Sequence, residues 1–231
     1  MIFYVPDIEA KEVETPHSAH MLSMRLRYKD KVVVTDLKGN YAKVSIGQVD
    51  KKHKLIKYHI RKRYHQENTN EGILIQAVPD KIYLEKLVEV AALQGMQKIY
   101  FYYSERSVRQ KIKPERLQRI VLRGCELAEH YWAPEIEFVE ENKVEELLTS
   151  LQPAVLEKEP ENIAELGKDS PQTVLVGPEG GWSQSEVAYF QKLGLNFTSL
   201  GDTVYPAWLA GFTYFERIKT ALWRRTALKE S

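Results

Sequence analysis

Val174-Leu175-Val176 runs into Gly177-Pro178-Glu179-Gly180-Gly181, and Trp182-Ser183-Gln184-Ser185-Glu186 follows. An apolar strand ending in glycines offers a ligand bare backbone amides, because glycine permits sharp turns and close approach. Pro178 fixes its own φ and carries no amide donor. Ser183 and Glu186 have the spacing of a capping box, so a helix is expected next. In an open α/β domain the loop leaving the carboxyl end of a strand is the usual ligand position. No Lys-Ser/Thr follows the glycines and the G-x-G-x-x-G spacing is absent, which excludes the common phosphate and dinucleotide loops. The plain alternative is an ordinary strand-to-helix turn. Glu179 suits accepting a backbone amide and shaping the turn better than it suits proton transfer. Arg106 follows a predicted strand, where its guanidinium can meet a phosphate or a base, or close an ion pair.

A second chemistry lies in the cations. Lys51 to Gln66 holds seven Lys/Arg and three His with no acid. Ile56, Tyr58 and Ile60 alternate with Lys57, His59 and Arg61, and a strand sends these sets to opposite faces. One face joins a core; the other is a cationic row. With Arg25, Arg27, Lys62 and Arg63, that row suits phosphate contacts, which position RNA without reading its sequence. Tyr58 and Tyr64 offer rings for base stacking or for packing. Arg116, Arg119 and Arg123 share one helix face, as a second RNA surface or an exposed side.

The bulk composition narrows the classes. The chain has 231 residues with 33 basic against 32 acidic side chains, so it is no general polycation. Between Glu135 and Glu165 stand ten Glu against two Lys, a solvated acidic face. The single cysteine, Cys125, excludes an intramolecular disulfide and reads as a small core residue inside a helix. The six histidines lack metal-ligand spacing. No apolar run reaches the length of a membrane span and no signal-peptide pattern opens the chain, so a soluble cytoplasmic protein is expected.

These residues need elements to position them. Lys31–Thr35 and Tyr41–Ile46 read as strands around a Lys38-Gly39-Asn40 turn, and the first seventy or so residues read mainly as strands. From Ile73 the pattern alternates. Strands are predicted at 73–78, 98–103, 135–139, 154–156, 173–176 and 197–200. Helices are predicted after Asp80, over 117–128, over 141–150 and from about Trp208. Alternation of this kind argues for a parallel sheet covered on both faces. The polar stretch Gln66–Gly72 divides a β-barrel module, 1–71, from an α/β domain, 72–231.

The Gly-Pro-Glu-Gly-Gly element with its aromatic-Ser-x-x-Glu continuation resembles the S-adenosylmethionine loop of the SPOUT methyltransferases, most closely the RsmE family. Leu200-Gly201 resembles that family's second cofactor loop. Ser104-Glu105-Arg106-Ser107 and Pro134-Glu135-Ile136 resemble two further segments, as do His20, Leu26-Arg27 and Asp30. The resemblance implies a trefoil-knotted SPOUT domain behind an N-terminal PUA-like barrel, acting as a homodimer with the cofactor site near the subunit contact. It implies methylation of uridine N3 in 16S ribosomal RNA, with ribosomal RNA or the small subunit as partner. The implied cofactor residues are Val176, Gly177, Glu179, Gly180, Gly181, Leu200, Gly201, Val204 and Tyr205. Arg106 becomes the candidate catalytic residue, and Arg25, Arg27, Lys57, Arg61 and Arg63 the candidate RNA contacts.

The chain departs from that family at several polar positions. Pro206 stands in place of an arginine and Trp208 in place of a glutamate. Val90 and Leu93 are apolar where the family helix ends in Lys-x-x-Glu. An apolar side chain cannot move a proton or orient a polar base. Two readings therefore stand: an active methyltransferase with an altered pocket, or a non-catalytic RNA-binding or ribosome-assembly protein on the same fold.

Overall fold

The computed structural model describes residues 1–14, 16–158, 166–167 and 169–227, with side chains through Thr220. Part of the acidic stretch, Glu159, Glu161 and Glu165, lies outside the described residues. The chain divides into two compact units. One comprises Met1–Asn70, Ala92–Gly95 and Glu115–Ala133; the other comprises Glu71–Ala91, Met96–Pro114 and Pro134–Ser231.

The first unit is a curled five-stranded sheet in the order β1-β3-β4-β5-β2. Its strands are β1 (Ile2–Tyr4), β2 (Glu12–Val13), β3 (Lys31–Thr35), β4 (Asn40–Asp50) and β5 (Leu55–His65). β1 pairs parallel with β3, and the other pairs are antiparallel. Inward residues Val34, Val44, Ile46, Ile56 and Tyr58 close a core with Phe3, Val5 and Met21. α1 (Ser18–Ser23) interrupts the run of strands that the sequence pattern predicts. Six residues are too few to form a helix alone; burial of Ser18 and Met21 holds it. α3 (Pro114–Ala128) buries Leu117, Val121, Gly124 and Cys125, the stripe its spacing predicts. The Glu126 carboxylate accepts the Tyr4 amide at 2.7 Å and pairs with His20 Nδ1 at 2.6 Å. Burial, with the nearby Glu126, pushes the Cys125 thiol up to about 12, so it is an inert core residue.

The second unit is a six-stranded, wholly parallel sheet in the order β11-β9-β10-β6-β7-β8. β6 (Glu71–Ala77), β7 (Met96–Tyr102) and β8 (Glu135–Phe138) run outward from the middle. β9 (Ala154–Leu156), β10 (Thr173–Val176) and β11 (Phe197–Thr198) fill the other side, with β10 inserted between β6 and β9. Every residue of β9 and β10 is buried, as a parallel sheet covered on both faces requires. Helices α2 (Lys81–Gln94), α4 (Val144–Leu151), α5 (Gln184–Lys192) and α6 (Ala207–Ala227) connect or follow them. β11 is shorter than the predicted 197–200. Ser199 Oγ accepts the Gly201 amide, and Gly201 takes φ 79°, so the chain leaves the ladder there.

Candidate functional site

The carboxyl ends of β9, β10 and β11 open into a pocket of ≈ 350 Å³. Its walls are Leu156–Lys158, the Val176–Trp182 loop, and Ser199–Gly201 with Thr203–Tyr205, Ala207 and Ala210. All nine residues expected at the cofactor, from Val176 to Tyr205, therefore line one cavity.

The first loop is built from below. Trp182 is buried; its indole N–H donates to the Leu156 carbonyl at 3.0 Å and its ring meets Phe190 edge-on. A Cβ at Gly177 would lie 3.2–3.4 Å from the Trp182 ring, so any side chain there would crowd the indole that the loop passes over. Gly181 turns the chain at φ 66°, in the left-handed region. The Ser183–Glu186 capping box forms in both directions. Gln76, fully buried on β6, donates through Nε2 to the Gly177 carbonyl at 2.9 Å. The Glu179 carboxylate faces the Asp80 amide at 3.3 Å and so shapes the turn.

Arg106 sits at the rim. Its Nη1 donates to the Gly180 carbonyl at 2.7 Å while the residue stays exposed. The segment carrying it is tied to the start of α5. The Glu105 amide donates to Glu186, and Ser185 Oγ donates to the Glu105 carboxylate at 2.8 Å. The Ser183 and Ser185 hydroxyls hold the Glu105 carboxyl below the usual glutamate range. The second loop is held from α6, where Arg217 donates to the Leu200 carbonyl at 2.6 Å and to the Tyr205 hydroxyl at 3.3 Å. Sequence reasoning missed Gln76 and Arg217. A glutamine inside an otherwise apolar strand was a readable signal for the first. Nothing in the local pattern marks the second.

The chain matches a known family. The RNA methyltransferase domain family matches residues 66–212. The chain belongs to that RNA methyltransferase family. Ribosomal RNA small subunit methyltransferase E of Helicobacter pylori is 29% identical over 150 residues, which is 63% of this chain. The match spans 66% of that relative, just under two thirds of its length. The fold is that of the ribosomal RNA small subunit methyltransferase E structure from Neisseria gonorrhoeae bound to S-adenosyl methionine. That likeness has a TM-score of 0.81 at 20% identity, over 95% of this chain and 96% of the other. A probable rRNA-methyltransferase from Porphyromonas gingivalis gives 0.77 at 23% identity, over 97% of each chain.

In this RNA methyltransferase family member the candidate RNA contacts all lie in the first unit, in differing settings. Arg25 and Arg27 are exposed. Lys57 lies 3.5 Å from Glu12, and Arg61 Nε donates to Ser45 Oγ. Arg63 makes a two-pronged pair with Glu9 at 2.6 and 2.7 Å beside a cavity of ≈ 270 Å³. Tyr58 does not offer its ring to a base. It is 1% exposed and its hydroxyl donates to the Ile8 carbonyl, because it belongs to the inward set of the alternation. Among the described residues no helix is long and apolar enough to cross a membrane.

Proposed function

We propose that this chain methylates 16S ribosomal RNA at uridine N3, with S-adenosylmethionine as methyl donor. The observation that carries the reading is the pocket at the ends of β9–β11 in a chain of the RNA methyltransferase family. The H. pylori relative supports ribosomal RNA as substrate, and the ligand in the N. gonorrhoeae structure supports the cofactor. The residues fit that cofactor. The volume lies in the range of small-molecule sites, roughly 300–1,000 Å³. Leu156, Val176, Leu200 and Ala210 give apolar walls for a purine. The backbone of the two glycine-bearing loops gives donors and acceptors for the polar parts. When bound, the cofactor supplies an electrophilic methyl group on a sulfonium.

The chain must hold uracil N3 in line with that methyl and let the N3 proton leave. Arg106 cannot take the proton, because a guanidinium stays charged. Fixed by the Gly180 carbonyl, it stabilises the negative charge that grows on the uracil as the proton departs. The carboxylates lining the pocket are Glu157 and Glu179; the proton acceptor is one of these or water. The fold reading includes the trefoil knot of the SPOUT domain, a PUA-like barrel over 1–71, and a homodimer working in the cytoplasm. The half-buried Tyr83–Trp208 stack, with ring planes 5° apart, supports an α2–α6 face as the subunit contact. The binding-only reading draws on the apolar Val90, Leu93, Pro206 and Trp208.

Calorimetric titration with S-adenosylmethionine separates the two. Saturable binding by the wild-type chain, weakened about tenfold in Gly177→Val, is expected, since the added carbons crowd the Trp182 ring and shift the loop. No binding by the folded wild-type protein at millimolar ligand would reject the enzyme and leave the RNA-binding protein. Radiolabelled methyl transfer to small-subunit RNA then tests the site.

A further inference from the structure

We infer that the outward face of the β4–β5 ribbon is a platform for single-stranded RNA. Tyr64 stacks on one unpaired base, and Lys43, Arg61 and Lys62 hold the flanking phosphates. The proposal rests on the RNA substrate argued above and says where unit-one side chains meet it.

The ribbon's register makes the platform. Tyr41 lies directly opposite Tyr64, and Lys43 directly opposite Lys62. The next pair is Val44 with Ile60, so Arg61 is an extra residue in β5. Such a bulge shifts the alternation of side chains. Before it, Ile56 and Tyr58 point into the core while Lys57 and His59 are exposed. After it, Lys62 joins Arg61 on the exposed side, and Arg63 turns to Glu9. Unbroken alternation would have put Arg61 and Arg63 on the outward face and Lys62 on the inward one.

The rings and charges on that face are arranged for a nucleotide. Tyr64 stacks on Tyr41 at 4.9 Å and 9°, and Tyr41 stacks on Tyr131 at 4.0 Å and 18°. A three-ring pile presents its outer ring with little freedom left to lose. The Lys43 and Lys62 ammonium groups lie 5.4 and 5.0 Å from the Tyr64 centroid. Neither lysine pairs with a carboxylate among the described residues, whereas Lys57 and Arg63 both do. Like charges directly opposite on a sheet repel, and a polyanion relieves that repulsion. Stacked aromatics beside cations are what single-stranded nucleic acid binds. A duplex keeps its base faces inside and gives Tyr64 nothing to stack on.

Fluorescence anisotropy with a short labelled single-stranded RNA tests this on the full chain. Tyr64→Ala is expected to weaken binding on the order of tenfold with its salt dependence unchanged, and Tyr64→Phe to restore it. Lys43→Gln with Lys62→Gln is expected to reduce the slope of log affinity on log salt by about 1.4, roughly 0.7 for each phosphate that is no longer neutralised. Wild-type affinity in Tyr64→Ala, an unchanged slope in the surface lysine pair, or no RNA binding by the wild type at low salt would each overturn the platform. Cofactor titration of the same samples keeps the two proposals apart. Cofactor binding with Tyr64-independent RNA binding rejects the platform alone; Tyr64-dependent RNA binding without cofactor binding rejects the methyltransferase alone.

Discussion

Glu186 shows how one side chain joins two segments at the site. Its carboxylate accepts the Ser183 amide at 2.8 Å, as a capping box requires, and also the Glu105 amide at 3.1 Å. The helix start is thereby linked to the loop that carries Arg106. The Ser183-x-x-Glu186 spacing was readable because a cap is local. The Glu105 bonds were not, since their partners lie some eighty positions away. The second of them responds to pH. The Glu105 carboxyl titrates below its ordinary 4.5, with the Ser183 hydroxyl as the first cause and Ser185 as the second. A depressed folded value stabilises the fold above the unfolded value and is lost as pH falls through the folded one. In thermal melts, the Tm gap between wild type and Glu105→Gln is therefore expected to be full at neutral pH. It should close as the pH drops below 4.5. A gap that widened in acid would contradict the bond.

At the scale of elements, α6 organises the second cofactor loop. Pro206 opens the helix, and its carbonyl accepts the Leu209 and Ala210 amides. Proline is cheap at that place because a helix's first amides have no intrahelical partner. The departure from the family's arginine thus costs the helix nothing. Arg217, further along α6, reaches back to the Leu200 carbonyl and the Tyr205 hydroxyl. Arg217→Ala should weaken S-adenosylmethionine binding about tenfold, near 1.4 kcal/mol, because the loop loses its orientation. The urea midpoint should move little, since the residue is largely exposed. Equal calorimetric affinities for wild type and variant would show that the loop holds its shape without Arg217. The strands of this domain were legible as apolar runs, and β9 and β10 fall where the pattern places them. β11 ended early because a side-chain turn at Ser199 competed with the ladder, and α1 stayed hidden because only burial supports it.

At the scale of the whole molecule, the proposed homodimer is the claim with most to lose. Trp208 stacks on Tyr83, and the Lys86 ammonium lies 5.6 and 5.8 Å from the two rings. Trp208→Ala removes one ring of that stack and the apolar area it would bury in a subunit contact. Light scattering is expected to give a dimer for the wild type and a monomer for the variant. A monomeric wild type would remove the dimer from the proposal, and a dimeric variant would move the contact elsewhere.

The sequence by itself determined the local and periodic features. It carried the glycine loop and its cap, the burial stripe of α3, the parallel αβ alternation, and the family to which these belong. Each rests on residues close along the chain or repeating with a helix or strand period. Tertiary structure alone decided which loops share the pocket, that Gln76 and Arg217 brace them, and that Lys43 and Lys62 meet no carboxylate among the described residues. One inserted residue in β5 turned Arg63 toward Glu9 and brought Lys62 to face Lys43. Register, and not composition, sets which side chains meet across a sheet, and register is fixed by pairing between strands distant in the chain.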